Sequence, residues 1–153
     1  MKLKLPTTLV GLCMLAAPLH AETLVDEDFQ DGKADGWGGS GDGDLRLTTY
    51  EKNVSMRLQK RAAAITKLSA EGYTNITVAV SFAAMSLEGN EDCIAEASAD
   101  NGTTWAKIFA IGRAQADGVL LHRGTGAAPG LDNNAGALLR FSVRGDDDSD
   151  TCW

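Results

Sequence analysis

The sequence predicts an all-β protein, an antiparallel β-sandwich of about eight short strands, and three observations carry that prediction. Glycine is abundant at 17 residues while proline is scarce at 3. Apolar residues alternate with polar ones at a period of two in several short stretches. Polar turns separate these stretches at spacings that suit a sandwich and leave little room for βαβ crossovers.

The clearest strand is Ile76 to Ala84. Ile76, Val78, Val80, Phe82 and Ala84 fall on one face, and Thr77, Ala79, Ser81 and Ala83 on the other. Leu139, Phe141 and Val143 alternate in the same way with Arg140, Ser142 and Arg144. Shorter signals place strands at Leu24 to Phe29, Leu45 to Tyr50, Val54 to Leu58, Cys93 to Ala99, Trp105 to Ile111 and Val119 to His122. Arg57 to Ala70 reads either way, because Leu58, Ala62, Ile65 and Ser69 also fit helical spacing. Two glycine-rich stretches, Asp35 to Asp44 and Gly124 to Gly136, read as surface loops. Neither carries the lysine and hydroxyl pair of a phosphate-binding loop.

Ahead of all this, Lys2 and Lys4 precede an apolar run from Leu5 to Leu19, and Leu19-His20-Ala21 ends on a small residue. That is the layout of a cleavable export signal over residues 1–21. The run is short for a membrane span and holds Pro6 and Pro18. A secreted or periplasmic protein is expected, with residues 22–153 as one domain and no membrane span after cleavage. Loss of both signal lysines makes the net charge of −7 more negative still. Nucleic acid is therefore not an expected partner, since binding it needs a basic face. The acidity reads either as solubility or as a cation site.

Catalytic groups are scarce. His122 is the single histidine after the signal, which leaves a zinc site or a serine or cysteine nucleophile without its usual nitrogen partners. Asp26-Glu27-Asp28, Glu91-Asp92 and Asp146-Asp147-Asp148 offer carboxylates for a glycosidase, but none sits in the apolar context that raises the pKa of a general acid. An enzyme is not expected. Trp37, Tyr50 and Tyr73 are the candidate platform for stacking on a sugar face; the alternative is that Trp37 and Tyr73 pack at strand edges. Removal of Cys13 with the signal leaves Cys93 and Cys152, which an oxidising compartment would pair, the alternatives being two free thiols or an intermolecular pairing through Cys152.

Ser98 to Trp105, S-A-D-N-G-T-T-W, resembles the Asp-box pattern of sialidases and other β-propeller hydrolases. In a single copy it implies a tight hairpin, with Ser98 and Asp100 in the turn, Gly102 at positive φ and Trp105 packed over it.

Several segments together resemble secreted bacterial jelly-roll modules of the MAM and galactose-binding-like kind. They are D-F-Q-D-G from Asp28 with Gly36-Trp37, the run from Gly72 to Phe82, Glu91 to Trp105, Leu139 to Phe141, and D-T-C-W at the end. The resemblance implies a jelly roll and a strand over Ala62 to Leu68. It also implies a calcium ion between the first and last strands, with Glu27, Asp28 and Asp150 as its carboxylates. In function it implies a noncatalytic module for an extracellular glycan or a surface protein. The alternative is a small or accessory part of an extracellular glycosidase or peptidase. Modules of this kind continue from D-x-C-W into a closing strand, so the domain is expected to be truncated at that strand or to take one from a partner.

Overall fold

The computed structural model describes residues 22–128 and 130–153, so the expected export signal lies outside the described residues. Among the described residues there are eleven strands, more than the eight or so expected, and no α-helix. In chain order they are β1 Trp37–Ser40, β2 Leu45–Tyr50, β3 Asn53–Gln59, β4 Ala63–Leu68, β5 Thr77–Phe82 and β6 Ala84–Met85. After these come β7 Asp92–Ser98, β8 Ala106–Gly112, β9 His122–Ala127, β10 Ala137–Arg144 and β11 Thr151–Cys152.

One layer is a five-stranded antiparallel sheet in the order β1-β4-β10-β7-β8. Facing it are a four-stranded sheet, β2-β3-β11-β6, and a two-stranded sheet, β5-β9. The main core lies between the layers. Met56, Leu58, Phe82 and Ala84 from one side meet Ala64, Ala95 and Val143 from the other, and all are buried. A second cluster, with Leu68, Val78, Leu131 and Leu139, fills the far end. Small residues at Ala62, Ala64 and Ala95 let the layers approach, while Phe82 packs edge-on against Phe141 of the central strand β10.

Close approach also explains the glycines of β9. A Cβ at Gly124 would collide with the Phe109 ring, and one at Gly126 with Ile108, both on β8. Glycine there lets the short β5–β9 sheet fold onto the edge of the larger one.

Three expectations change, and one left open is settled. Leu24 to Phe29 is not a strand, because acidic side chains capture the backbone locally: Phe29 N–H donates to Glu27 Oε1 and Gln30 N–H to Asp28 Oδ1. Val119 to Leu121 is not one either, since Asp117 Oδ1 accepts the N–H groups of Val119 and Leu120, and β9 begins only at His122. The glycine-rich stretches are not only loops. The first contains β1, paired with β4 at the sheet edge, and the second contains most of β9. Arg57 to Ala70, which read either way, forms the end of β3 and all of β4. Its period of two wins because Ala64, Thr66 and Leu68 pair across to β10.

A disulfide crosses the sandwich. Cys93 on β7 and Cys152 on β11 are bonded, with Cα atoms 5.9 Å apart, and both are fully buried. The bridge closes a loop of sequence separation 59. Chain-entropy arguments put its contribution at about 4 kcal/mol. The double change Cys93→Ala with Cys152→Ala is expected to lower unfolding free energy in urea by about that amount. A loss within experimental error would show that the bridge staples nothing.

Candidate functional site

The candidate site is a cleft of about 740 Å³ between β3 and β5. Its walls follow from strand alternation. On β3, Val54, Met56 and Leu58 point inward and Ser55 outward; on β5, Val80 and Phe82 point inward and Ala79 and Ser81 outward. Residues of both faces of both strands line the cleft, so it opens through the plane of the sheet. At its floor lies Phe141 of β10, half-buried although β10 is the central strand of the opposite sheet.

Above the floor, the outer face is polar with one aromatic pair. Tyr50 and Trp153 stack with ring centroids 4.9 Å apart, and the Tyr50 hydroxyl donates to Gly118 O at 2.9 Å. Burial, followed by the negative charges of Glu51 and Asp117, raises the Tyr50 pKa above its usual value. Arg123 and Thr125 of β9 stand beside Ser81 and Ala79 through the β5–β9 register. Glu27, Asp28, Glu51 and Asn53 close one end of the cleft. A face of this kind offers hydrogen bonds to hydroxyl groups around a stacking surface, which is the chemistry of carbohydrate recognition.

The three aromatic residues singled out from the sequence do not form one platform. Trp37 stacks on Phe141 at 4.9 Å and meets Phe29 edge-on at 6.2 Å, so it belongs to the core. Tyr73 sits in the β4–β5 turn, where hydrogen bonding to the Glu22 carboxylate raises its pKa. Tyr50 alone lines the cleft. Its partner Trp153, like Arg123, is brought there by tertiary pairing, and the one local signal for it is its place in the D-T-C-W segment.

The expected calcium carboxylates also separate. Glu27 and Asp28 lie at the cleft rim. Asp150 is 1% exposed and clusters instead with Glu91 and Asp146, which bring ligand oxygens within 4.8 Å of one another. Asp150 Oδ2 accepts the N–H groups of Asp146 and Asp147, while its buried Oδ1 has no hydrogen-bond partner. At Glu91, the Glu88 N–H bond lowers the pKa, but burial and the charges of Asp150 and Asp146 outweigh it and leave the carboxyl raised.

A second concavity lies on the outer face of the five-stranded sheet, where Arg61, Glu88, Glu91 and Asp146 line it beside two ion-paired arginines. Arg140 bonds Glu96 there and Arg144 bonds Asp92.

No family model and no curated protein matches the chain. Solved structures do. The C-terminal family 22 carbohydrate-binding module of Clostridium thermocellum Xyn10B aligns over 82% of this chain and 85% of its own, with a TM-score of 0.50 and 17% identity. The chain is similar in fold to family 22 carbohydrate-binding modules. A xylan-binding domain of the same family, formerly called x6b, gives a TM-score of 0.51 at 17% identity, covering 82% of this chain and 86% of that one. The tandem family 22 domains of Paenibacillus barcinonensis Xyn10C give 0.53 at 16% identity, over 84% of this chain and 47% of the tandem. The β-sandwich read from the sequence is the fold these family 22 modules share.

The hairpin between β7 and β8 is built as its residue types require. Asp100 Oδ1 accepts Thr104 N–H and the Ser98 hydroxyl, each at 2.8 Å, and Oδ2 accepts the Thr104 hydroxyl at 2.6 Å. Ser98 Oγ accepts Gly102 N–H, Gly102 has φ +87°, and Trp105 Nε1 donates to Gly102 O. The Arg140 guanidinium lies 4.0 Å over the Trp105 ring. Bonds from the Thr104 hydroxyl and N–H, then from Ser98, lower the Asp100 pKa from 3.8 to about 2. A depressed carboxylate contributes stability above its unfolded value and loses it as pH falls through the folded one. Protection of the hairpin amides is therefore expected to be full above pH 3.8 and to fade toward about pH 2. Asp100→Asn should flatten that dependence, and an unchanged acid limb in hydrogen exchange would remove Asp100 as its cause.

Proposed function

We propose that the chain is an exported, noncatalytic glycan-binding module, and that its ligand is a xylan-type chain laid across the outer face of the cleft between β3 and β5. The observation that carries the reading is the Tyr50–Trp153 stack, set among Ser55, Ser81, Arg123 and Thr125 on one sheet face. Support for the ligand class comes from the fold neighbours, one described as xylan-binding and another, a family 22 module joined to a Clostridium thermocellum xylanase module, solved with xylohexaose. A module of this kind works as the accessory part of a larger glycosidase, which joins the two functional expectations in one protein. The Ser98–Trp105 hairpin serves this reading as a structural turn.

Binding of xylohexaose by calorimetry, without release of shorter sugars, is the expected result. Tyr50→Ala and Arg123→Ala should each weaken it about tenfold, the worth of one stacking or charge-assisted contact, with the melting temperature held. Cello- and manno-oligosaccharides are the comparison ligands. Binding left intact by both changes would move the site elsewhere, and hydrolysis would make the chain an enzyme.

The same proposal includes a structural calcium ion, held by Glu91, Asp146 and Asp150 and not by Glu27 and Asp28. The residues fit the ion: three hard carboxylates converge, and a buried Asp150 oxygen has no hydrogen-bond donor. When bound, the cation would neutralise three adjacent negative charges and tie the β10–β11 loop to the turn before β7. Calcium should raise the melting temperature and a chelator should lower it. Glu91→Gln should shrink the shift, and a shift unaffected by that change would place the ion at another site.

A further inference from the structure

The concavity on the outer face of the five-stranded sheet encloses about 880 Å³, and strand register builds it. On β10 the side chains of Phe141 and Val143 point into the core, so those of Arg140, Ser142 and Arg144 point out. Ser142 is in register with Ala63 on β4, and Ala63 with Ser40 on β1. Three small side chains in a row across the sheet thus make a floor. Arg140, bonded to Glu96 and lying over the Trp105 ring, stands two residues along β10 on one side of that floor. Arg144, bonded to Asp92, stands two residues along on the other. The backbones of the two walls are therefore about 13 Å apart, by the rise of four strand residues. The concavity is a trough running across the strands, and it lies on the opposite layer from the cleft.

Its charges decide the kind of ligand. With Arg140 and Arg144 engaged by Glu96 and Asp92, Arg61 is left against Glu88, Glu91 and Asp146 of the lining, with Asp150 behind them. Gly145 lets Asp150 come so near, since a Cβ there would collide with its side chain. An anion is repelled by this excess of negative charge. A cation together with a neutral, hydroxyl-rich molecule fits it.

The carboxylates step from the trough into the interior: Asp146 is exposed, Glu91 half-buried and Asp150 buried. Asp150 Oδ2 is engaged by the N–H groups of Asp146 and Asp147, and Glu91 Oε2 by that of Glu88. Each of these two carboxylates keeps one further oxygen for an ion, and the one on Asp150 is the buried Oδ1 without a partner. Asp146 can add two at most. Calcium takes about six to eight oxygen ligands, so at least about two places are left over. They face the trough, because Glu91 and Asp146 line its wall while Asp150 closes the interior side.

We propose that the trough is a second saccharide site, in which calcium held by Glu91, Asp146 and Asp150 takes two adjacent hydroxyl groups of a xylose unit as ligands. Ser40, Ser142, Glu96 and Arg140 hydrogen-bond the rest of the sugar chain. The inference rests on the glycan reading for its sugar, but it uses no residue of the cleft. Sugar and ion share one site here, so each tightens the binding of the other. An ion that only tied the loops together would leave sugar binding unchanged.

Calorimetry on the exported chain tests the proposal, with xylohexaose as the probe in millimolar calcium and in EGTA. Two binding sites are expected in calcium and one, the cleft, in EGTA. Saturating xylohexaose should in turn tighten calcium about tenfold. Glu91→Gln should abolish the calcium-dependent site and spare the cleft, and Tyr50→Ala should do the reverse by weakening the cleft alone. Ser142→Leu, which fills the floor, should block the sugar while calcium still raises the melting temperature. One site in both media, with calcium affinity indifferent to the sugar, would overturn the proposal and leave the cleft reading standing. A chain that binds no calcium would overturn it in the same way. Absence of xylohexaose binding in both media would overturn the two readings together.

Discussion

The structure depends on the bond between Cys93 and Cys152. β11 is only two residues long, and a strand of that length forms too few ladder bonds to hold its own position. The disulfide fixes it to β7, in the heart of the opposite layer, where both cysteines are fully buried. With β11 fixed, β3 and β6 have a common neighbour, and the four-stranded sheet exists as a sheet. The same constraint delivers Trp153 to Tyr50 and Asp150 to Glu91 and Asp146. A single covalent link thus positions the aromatic pair on one side of the chain's end and the acidic cluster on the other.

Glycine and alanine set the second constraint, which is how near the layers lie. Ala62, Ala64, Ala83, Ala84, Ala95 and Ala137 are all fully buried, and together they make a core with little side-chain volume along its centre line. The volume missing there is supplied by a few aromatic rings, Trp37, Phe82, Phe109 and Phe141, which touch in a chain of stacked and edge-on contacts. Trp37 is therefore unavailable to a ligand for a packing reason: Phe141 needs its ring as a lid on one side while the cleft leaves the other side open.

Much of the fold was legible because its strands are half-buried and their side chains obey the period of two. β2, β5, β7 and β10 stand within a residue or two of where alternation puts them. β1 was not legible, since Trp-Gly-Gly-Ser offers no alternation and reads as a loop; its backbone alone pairs with β4. Leu24 to Phe29 and Val119 to Leu121 misled for the opposite reason. Their side chains suit a strand, but neighbouring carboxylates take the N–H groups that a ladder would use. At the site, Tyr50 was readable as an aromatic at a strand end, whereas the Trp153 stack and the Arg123 position depend on pairings between segments far apart in sequence. The acidic cluster joins Glu91 to residues of the β10–β11 loop, which share no local spacing with it.

An opening in one sheet has consequences in the other. β10 lies in the middle of its sheet with neighbours on both sides, the position in which a phenylalanine is ordinarily most buried, yet Phe141 remains half-buried. The exposure cannot come from its own sheet, where Phe141 is paired with Ala64 on β4 and Ala95 on β7. It comes from across the core, where β3 and β5 stand apart beyond Trp153. Water reaching Phe141 must pass the backbone edges of both strands, so apolar surface and unpaired ladder groups are exposed by the same gap. Each would be costly alone, since buried backbone groups need partners and apolar rings favour exclusion from water.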